Sequence, residues 1–299
     1  MTRRKRMPTS LDTMVYPDGY RPGVRKESTS DRKARAIIAD RCDPISTQIE
    51  IIKREHWEEW RAKKANGKEN RRSRFRYILN QDGVGSCAAE AGTNCKASLD
   101  AYQGLPEIIY NPWSVYWKTS GGSDRGSSIG ENCEYIRDHG ICPEEVWPRS
   151  KGWRSEPGGE AKRVAKFFRI EEFFHCENVD QVVSAMLQGY DIHAGYSGHS
   201  ISFCRSLTDS TLEFMNSWGN WGDNGFGTLS HNKIYFAYGA YAYKYVIDWQ
   251  AGDWSPSKDQ KKLSKATNQY MAAVHAHKVE KGRPMSANQS TDLYHQLCG

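Results

Sequence analysis

The chain has 299 residues, 38% of them hydrophobic and 12% aromatic, with 42 Lys and Arg against 36 Asp and Glu and a formal charge of +6. That is apolar material for one large domain or two closely joined lobes, and it excludes a polyampholyte tail. No stretch approaches the roughly 18 consecutive apolar residues of a membrane span, and the basic start at Met1 runs into polar residues and Pro8 rather than a signal-like apolar run. The expected address is therefore the cytoplasm, or a virion if the source is viral, with no membrane partner.

Residues 1–70 read as a basic N-terminal extension. Up to about residue 45 it is rich in charge, Pro and Gly, with a short helix expected over 32–40. Residues 47–65 carry Ile49, Ile51, Ile52, His56, Trp57 and Trp60 among charges, which predicts an amphipathic helix that either packs on the main body or occludes its cleft. Arg61, Lys63, Lys64, Lys68, Arg71, Arg72, Arg74 and Arg76 make a basic run with Glu69 as its one acid. The plainer reading of the run is a solvated face; contact with nucleic acid is the alternative, and no nucleic-acid-binding module accompanies it.

At Phe75 the text changes. Phe75-Arg-Tyr-Ile-Leu is an extended lead-in, and Gln81-Asp-Gly-Val-Gly-Ser is a turn-rich loop. A buried helix is expected from Cys87 through Leu99, another over Trp113 to Lys118, and a third from Ile129 toward His139, stopped by Gly140. Val179 to Leu187 has helical spacing with Gly189 as its stop. Strands are expected at 190–195, 199–206, 210–216, 226–230 and 234–246, so a helical half of about 80–165 precedes a strand-rich half of about 166–249. Residues 250–299 are a polar C-terminal extension with one short helix expected over 268–279.

The eight cysteines form no CxxC pair, and without an export signal their even number does not establish disulfides. His175 beside Cys176 reads as strand packing, and His275 and His277 do not face one way on a helix, so neither metal nor cofactor is expected. Cys87 stands after a glycine-rich loop at the expected start of a helix. There unpaired amides and the positive end of the helix dipole would favour a thiolate.

Three segments carry a resemblance. Gln81-Asp-Gly-Val-Gly-Ser-Cys87-Ala is similar to the Gln-Gly-x-Cys-Gly-Ser-Cys-Trp text around the nucleophile of papain-like cysteine peptidases. Gly198-His199-Ser200-Ile201 is similar to the segment that holds the family's base histidine. Asn216-Ser-Trp-Gly-Asn-Trp-Gly-Asp-Asn-Gly-Phe-Gly227 resembles the family's Asn-Ser-Trp-Gly text and is the most specific of the three. A softer match runs from Gly126 to Pro148. The resemblance covers about residues 75–248 and suits a compact, divergent member of bacterial or bacteriophage type.

The resemblance implies an α+β fold of two lobes, a helical left lobe and an antiparallel sheet or barrel-like right lobe, with a cleft between them in a peptidase domain of 71–249. It implies that Cys87 attacks a peptide carbonyl, His199 transfers protons, Asn216 orients the imidazole and Gln81 donates to the oxyanion. Trp218 would cover the Asn216 to His199 bond, while Gly126 and Ser127 would line the path of the substrate backbone.

Some positions depart from the pattern. Val84 replaces the cysteine three before the nucleophile, Ala88 replaces the usual Trp, and Ser127 stands for a second glycine. His199 and Asn216 follow Cys87 by 112 and 129 residues, short against roughly 130–150. The expected function is a cysteine-type endopeptidase acting on a polypeptide substrate. Its alternatives are an inactive papain-fold binding or structural protein with virion or host protein partners, and a cell-wall peptide hydrolase.

Overall fold

A computed structural model describes residues 23–25, 42–65, 71–75 and 77–244. The helices expected over 32–40 and 268–279, with His275 and His277, lie outside the described residues. Helices run in chain order as α1 (Trp57–Ala65), α2 (Cys87–Tyr102), α3 (Trp113–Thr119), α4 (Ile129–Asp138), α5 (Gly159–Ala165) and α6 (Val179–Leu187). Strands are β1 (Phe173–His175), β2 (Asp191–Tyr196), β3 (His199–Ser206), β4 (Thr211–Met215), β5 (Phe226–Ser230) and β6 (Ala240–Tyr243).

The strands form one antiparallel sheet in the order β1-β6-β2-β3-β4-β5. It is open, with β1 and β5 at its edges, and so it is not closed into a barrel. Its two faces differ because side chains alternate along each strand. Ile192, Ala194, Ile201, Phe203, Ala240 and Ala242 join Val182, Val183 and Met186 of α6 in one apolar cluster. Asp191, His193, Ser200 and Ser202 line the other face, where α2 lies.

That second face is polar, and α2 suits it by being built of small residues. Ser202 Oγ donates to the Ala91 carbonyl at 2.8 Å, and Ser98 Oγ donates to Asp191 Oδ1 at 3.0 Å. A Cβ on Gly92 would come within 2.8 Å of Ile136 Cδ1 and 3.1 Å of Tyr243 Oη, so a larger residue there would push these side chains aside. The far side of α2 packs with α3 and α4 around Leu99, Val115, Ile129 and Ile136 in the helical lobe. A buried Lys96 is held there by both oxygens of Asp100 at 2.6 and 2.7 Å and by Tyr110 Oη at 2.7 Å.

Local signals set the ends of these elements. Ser128 and Glu131 make a reciprocal capping box at the start of α4, which satisfies two backbone donors that a helix start leaves bare. Asn178 caps α6 by accepting from the Gln181 amide. Ser197 (φ 39°) and Gly198 (φ 85°) close the β2–β3 hairpin, the left-handed pair that matches strand twist.

Two expectations change. The helix read over 47–65 begins only at Trp57, because Ile45–Thr47 and Arg54–His56 are 3-10 turns that let Ile45, Ile52 and Trp57 all face the sheet's apolar cluster. Burying each aliphatic side chain there stabilises the fold by about 1.5–3 kcal/mol. Trp57 Nε1 donates to the Ile52 carbonyl at 3.0 Å. This stretch therefore packs on the body rather than on the cleft. The strand read over 234–246 is, among the described residues, a 3-10 turn at Phe236–Tyr238 followed by the four residues of β6, and Tyr238 packs onto Gly195, where a Cβ would lie 2.3 Å from the Tyr238 Cβ.

In the basic run, Arg61 pairs with Asp209, Arg72 bonds Glu213 Oε1 at 2.9 Å and Asp223, and Arg74 lies 4.3 Å over the Tyr102 ring. No helix among the described residues is long and apolar enough to cross a membrane. The seven described cysteines are free thiols.

Candidate active site

Cys87 is the first residue of α2 and is fully buried. His199 opens β3 directly after the tight hairpin, and Asn216 follows the last residue of β4. His199 Nε2 lies 2.7 Å from Asn216 Oδ1. The Ser217 amide donates to that same oxygen at 2.8 Å, which identifies it as the acceptor end of the amide. The His199 proton is consequently on Nε2, and Nδ1 is the ring nitrogen that presents a lone pair.

Gln81 is held as firmly. Its Oε1 accepts from Ser217 Oγ at 2.9 Å and from Trp218 Nε1 at 3.1 Å, while Nε2 donates to the Val84 carbonyl at 2.7 Å. An indole N–H can only donate, so the amide orientation is determined, and its second Nε2 hydrogen is available to a ligand. The Trp218 ring stacks on His199 with centroids 4.5 Å apart and planes at 27°. Gln81, His199, Asn216 and Trp218 thus form one bonded unit.

The thiol itself meets backbone. Burial pushes its pKa up to about 12, against hydrogen bonds from the N–H groups of Ser200, Gly23 and Ala88 that pull it down. Burial likewise lowers His199 to about 4, with Asn216 pulling it up. Burial thus disfavours the charged form of both groups. Desolvation works against the thiolate expected at the start of α2, and the few oriented amides work for it.

Gly23 lies against the thiol, and residues 23–25 are held beside it. The Gly23 carbonyl accepts from the Ser127 amide at 3.0 Å, the Arg25 amide donates to the Ser127 carbonyl at 3.1 Å, and the Val24 amide donates to the Gly198 carbonyl at 3.0 Å. The pairing with Ser127 is that of a parallel bridge at Val24. Ser127 thus supplies the main-chain bonds that the sequence assigned jointly to Gly126 and Ser127. Gly126 serves by having no side chain, since a Cβ on it would lie 2.2 Å from the Gly23 carbonyl oxygen.

The sequence reading did not find the brace beneath the Gln81 loop. Arg149 donates to both oxygens of the fully buried Glu90 at 2.6 and 2.8 Å and to the Asn80 carbonyl. Ser86 Oγ donates to Glu90 Oε1 at 3.1 Å, and Trp113 Nε1 donates to Ser86 at 3.2 Å. A glutamate in the first turn of α2, three residues after Cys87, was the one available signal. No group of three or more His, Cys, Asp or Glu side chains is placed to hold a metal among the described residues.

No family model matches the chain, and no curated protein matches it in sequence. Digestive procathepsin L 3 of Tenebrio molitor larval midgut superimposes over 75% of this chain and 82% of its own, with a TM-score of 0.51 and 13% identity. Xylellain, a cysteine protease from Xylella fastidiosa, aligns over 57% of this chain and 83% of its own at 0.49 and 18%. The proform of the ragweed cysteine protease Amb a 11 aligns over 60% of this chain and 65% of its own at 0.48 and 15%. At such identities the likeness is one of fold, and it rests on the first of these.

Proposed function

We propose that this chain, whose fold is papain-like, is a cysteine-type endopeptidase with Cys87 as nucleophile, His199 as proton carrier, Asn216 as its orienting group and Gln81 as oxyanion donor. The observation that carries the reading is the His199 ring fixed through Nε2 on Asn216, which leaves Nδ1 as the basic nitrogen, on the residue next to Ser200, whose amide bonds the Cys87 thiol. His199 takes the thiol proton through Nδ1, and the sulfur attacks a peptide carbonyl carbon. The Gln81 Nε2–H and the Cys87 amide receive the charge that develops on oxygen. The imidazolium then protonates the leaving amine, and a water deprotonated by the same nitrogen releases the acyl group from sulfur.

The substrate class follows from what the cleft holds. Ser127 and Gly198 bond main-chain groups of residues 23–25, which suits an extended polypeptide of varied sequence. The chain continues on both sides of those three residues, which favours cleavage within chains over trimming of ends.

The test is hydrolysis of a fluorogenic peptide library by chains whose cleft has been opened by Gly23→Val, with and without Cys87→Ser. Turnover that Cys87→Ser abolishes supports the reading. Turnover that survives it removes Cys87 from the role, and an opened chain that binds peptides without cleaving them leaves a binding protein on this fold.

A further inference from the structure

The helical lobe holds a cavity of about 360 Å³ among the later parts of α3, α4 and α5. Its buried lining is made of small residues. Ala161 and Ala165 stand one turn apart on the same face of α5 and pack with Cys142. Gly140 brings the end of α4 against α5, since a Cβ on it would lie 1.8 Å from the Ala165 carbonyl oxygen. None of Gln81, Cys87, Gly126, Ser127, His199, Asn216 or Trp218 lines this space.

Above the small residues the lining turns aromatic and then cationic. Trp117 and Tyr135 are half-buried, and the Tyr135 ring packs on His139 with centroids 4.7 Å apart. The exposed lining holds three lysines: Lys162 Nζ lies 5.4 Å and Lys118 Nζ 5.8 Å from the Trp117 ring centroid, and Lys166 follows one turn after Lys162. Glu156 is the one carboxylate in the lining, and it pairs with Lys162. Glu160 on α5 is taken by Arg163, and neither Lys118 nor Lys166 has an ion pair among the described residues. Lys118 and Lys162 lie in the last turns of their helices, where a cation also complements the dipole. That role requires neither the aromatic pair nor the space between them.

We propose that this cavity is a binding site for a small aromatic carboxylate, whose rings enter beside Trp117 and Tyr135 over Ala161 and Ala165 while its carboxylate stays on the lysine rim. The volume lies at the lower end of the roughly 300–1,000 Å³ of small-molecule sites, which suits a ligand of one or two rings. Three ammonium groups against one carboxylate select an anion. A single, delocalised charge is favoured over a phosphate, because the cavity meets three helices at their C-terminal halves. There the negative dipole ends and unpaired carbonyls oppose concentrated negative charge. An aromatic body is favoured over an alkyl one by the Trp117 and Tyr135 rings, since ring pairs add to the gain from area alone.

The site is independent of the peptidase reading, and Cys87→Ser is expected to bind as the unaltered chain does. The experiment is isothermal titration of the full-length chain with 2-naphthoate, and with 2-naphthylmethanol as its uncharged counterpart. The same titrations are made on Lys118→Glu/Lys166→Glu and on Ala161→Phe. Naphthoate is expected to bind with a dissociation constant of about 1 mM or tighter, and the alcohol at least about fivefold more weakly. Reversing the two exposed lysines should weaken naphthoate by about tenfold or more. Ala161→Phe, which sets a ring in the cavity, should abolish binding of both compounds. Should Ala161→Phe not fold, the lysine variant and the alcohol still decide the matter.

Absence of saturable naphthoate binding up to about 5 mM would overturn the proposal. So would naphthoate affinity within about twofold of the unaltered chain in the lysine variant, because the compound would then sit elsewhere. Equal affinity for the acid and the alcohol overturns the choice of an anion.

Discussion

Trp218 donates its indole N–H to Gln81 Oε1 at 3.1 Å while its ring stacks on His199 at 4.5 Å. One side chain thereby sets the distance between the group that would move protons and the group that would receive the oxyanion. A core tryptophan filling space would need neither contact. The pair also explains why the Gln81 amide points its nitrogen into the cleft: its oxygen is held by two donors.

Gln81→Ala, made in the Gly23→Val background, is expected to lower kcat by about 10²–10³ with a small change in KM, as for loss of one oxyanion donor. Trp218→Phe keeps the stack and loses the N–H, so its kcat should fall less. Steady-state kinetics on one peptide check both, and a Gln81→Ala chain with unchanged kcat would take Gln81 out of the mechanism.

Asn216→Ala removes the acceptor for His199 Nε2–H and frees the ring to turn. A decrease of about 10²-fold in kcat/KM is expected, as for other misplacements of reacting groups. The imidazole Nε2–H resonance should also begin to exchange quickly with water, which an NMR spectrum of the buried proton reads directly.

Arg149→Met leaves a fully buried carboxyl without its cation. We expect a loss of about 3–5 kcal/mol, read from urea denaturation. Burial already raises Glu90 to about 7, against the pull of Arg149, and losing the guanidinium raises it further. Protonation then favours the fold, so the variant should recover stability below the unfolded carboxyl value of about 4.5 and lose it as pH rises through its folded pKa. A deficit that does not change with pH would deny Glu90 that part.

Acid should destabilise the unaltered chain through its buried imidazoles. Burial lowers His193 to about 3 and His199 to about 4. The unfolded chain therefore binds protons below about 6.5 that the folded one refuses. That stability is complete above 6.5 and falls progressively toward pH 4, before carboxylates alone would account for it. His193 bonds Ser200 Oγ at 2.8 Å and Tyr243 Oη at 3.0 Å, and His193→Gln should flatten the thermal melting temperature between pH 6.5 and 4.5.

Gly140 ends α4 with φ of 81°, and a Cβ on it would lie 1.8 Å from the Ala165 carbonyl oxygen. Gly140→Ala is expected to cost more than about 1 kcal/mol, measured by chemical denaturation. Gly152, at φ 79° with nothing within 4 Å, is the control that carries the backbone strain without the clash.

Much of the fold could be read in advance where a rule is local. The start of α4 was read at Ile129 and its end at Gly140, and α6 by its apolar spacing and Gly189. Cys87, His199, Asn216 and Gln81 were singled out by short motifs, and the structure brings His199, Asn216, Gln81 and Trp218 into one bonded set. Local rules failed at Ile45 to His56, where burying Ile45 and Ile52 against the sheet outweighs the helical pattern of the same residues. They failed again at Phe236–Tyr238, where a 3-10 turn packed against Gly195 takes the place of strand.

The sequence by itself singled out the side chains proposed to carry the chemistry and the order in which they follow one another, because motifs and caps depend on neighbours along the chain. Only the tertiary structure decided the protonation of the site and its access. Whether Cys87 is a thiol or a thiolate depends on how much water reaches it. Gly23, more than sixty residues earlier, lies against the thiol in a stretch held by backbone bonds to Ser127 and Gly198. Hydrogen bonds to main-chain atoms leave no mark in residue type, and a glycine required by a neighbour's carbonyl looks in sequence like any other glycine.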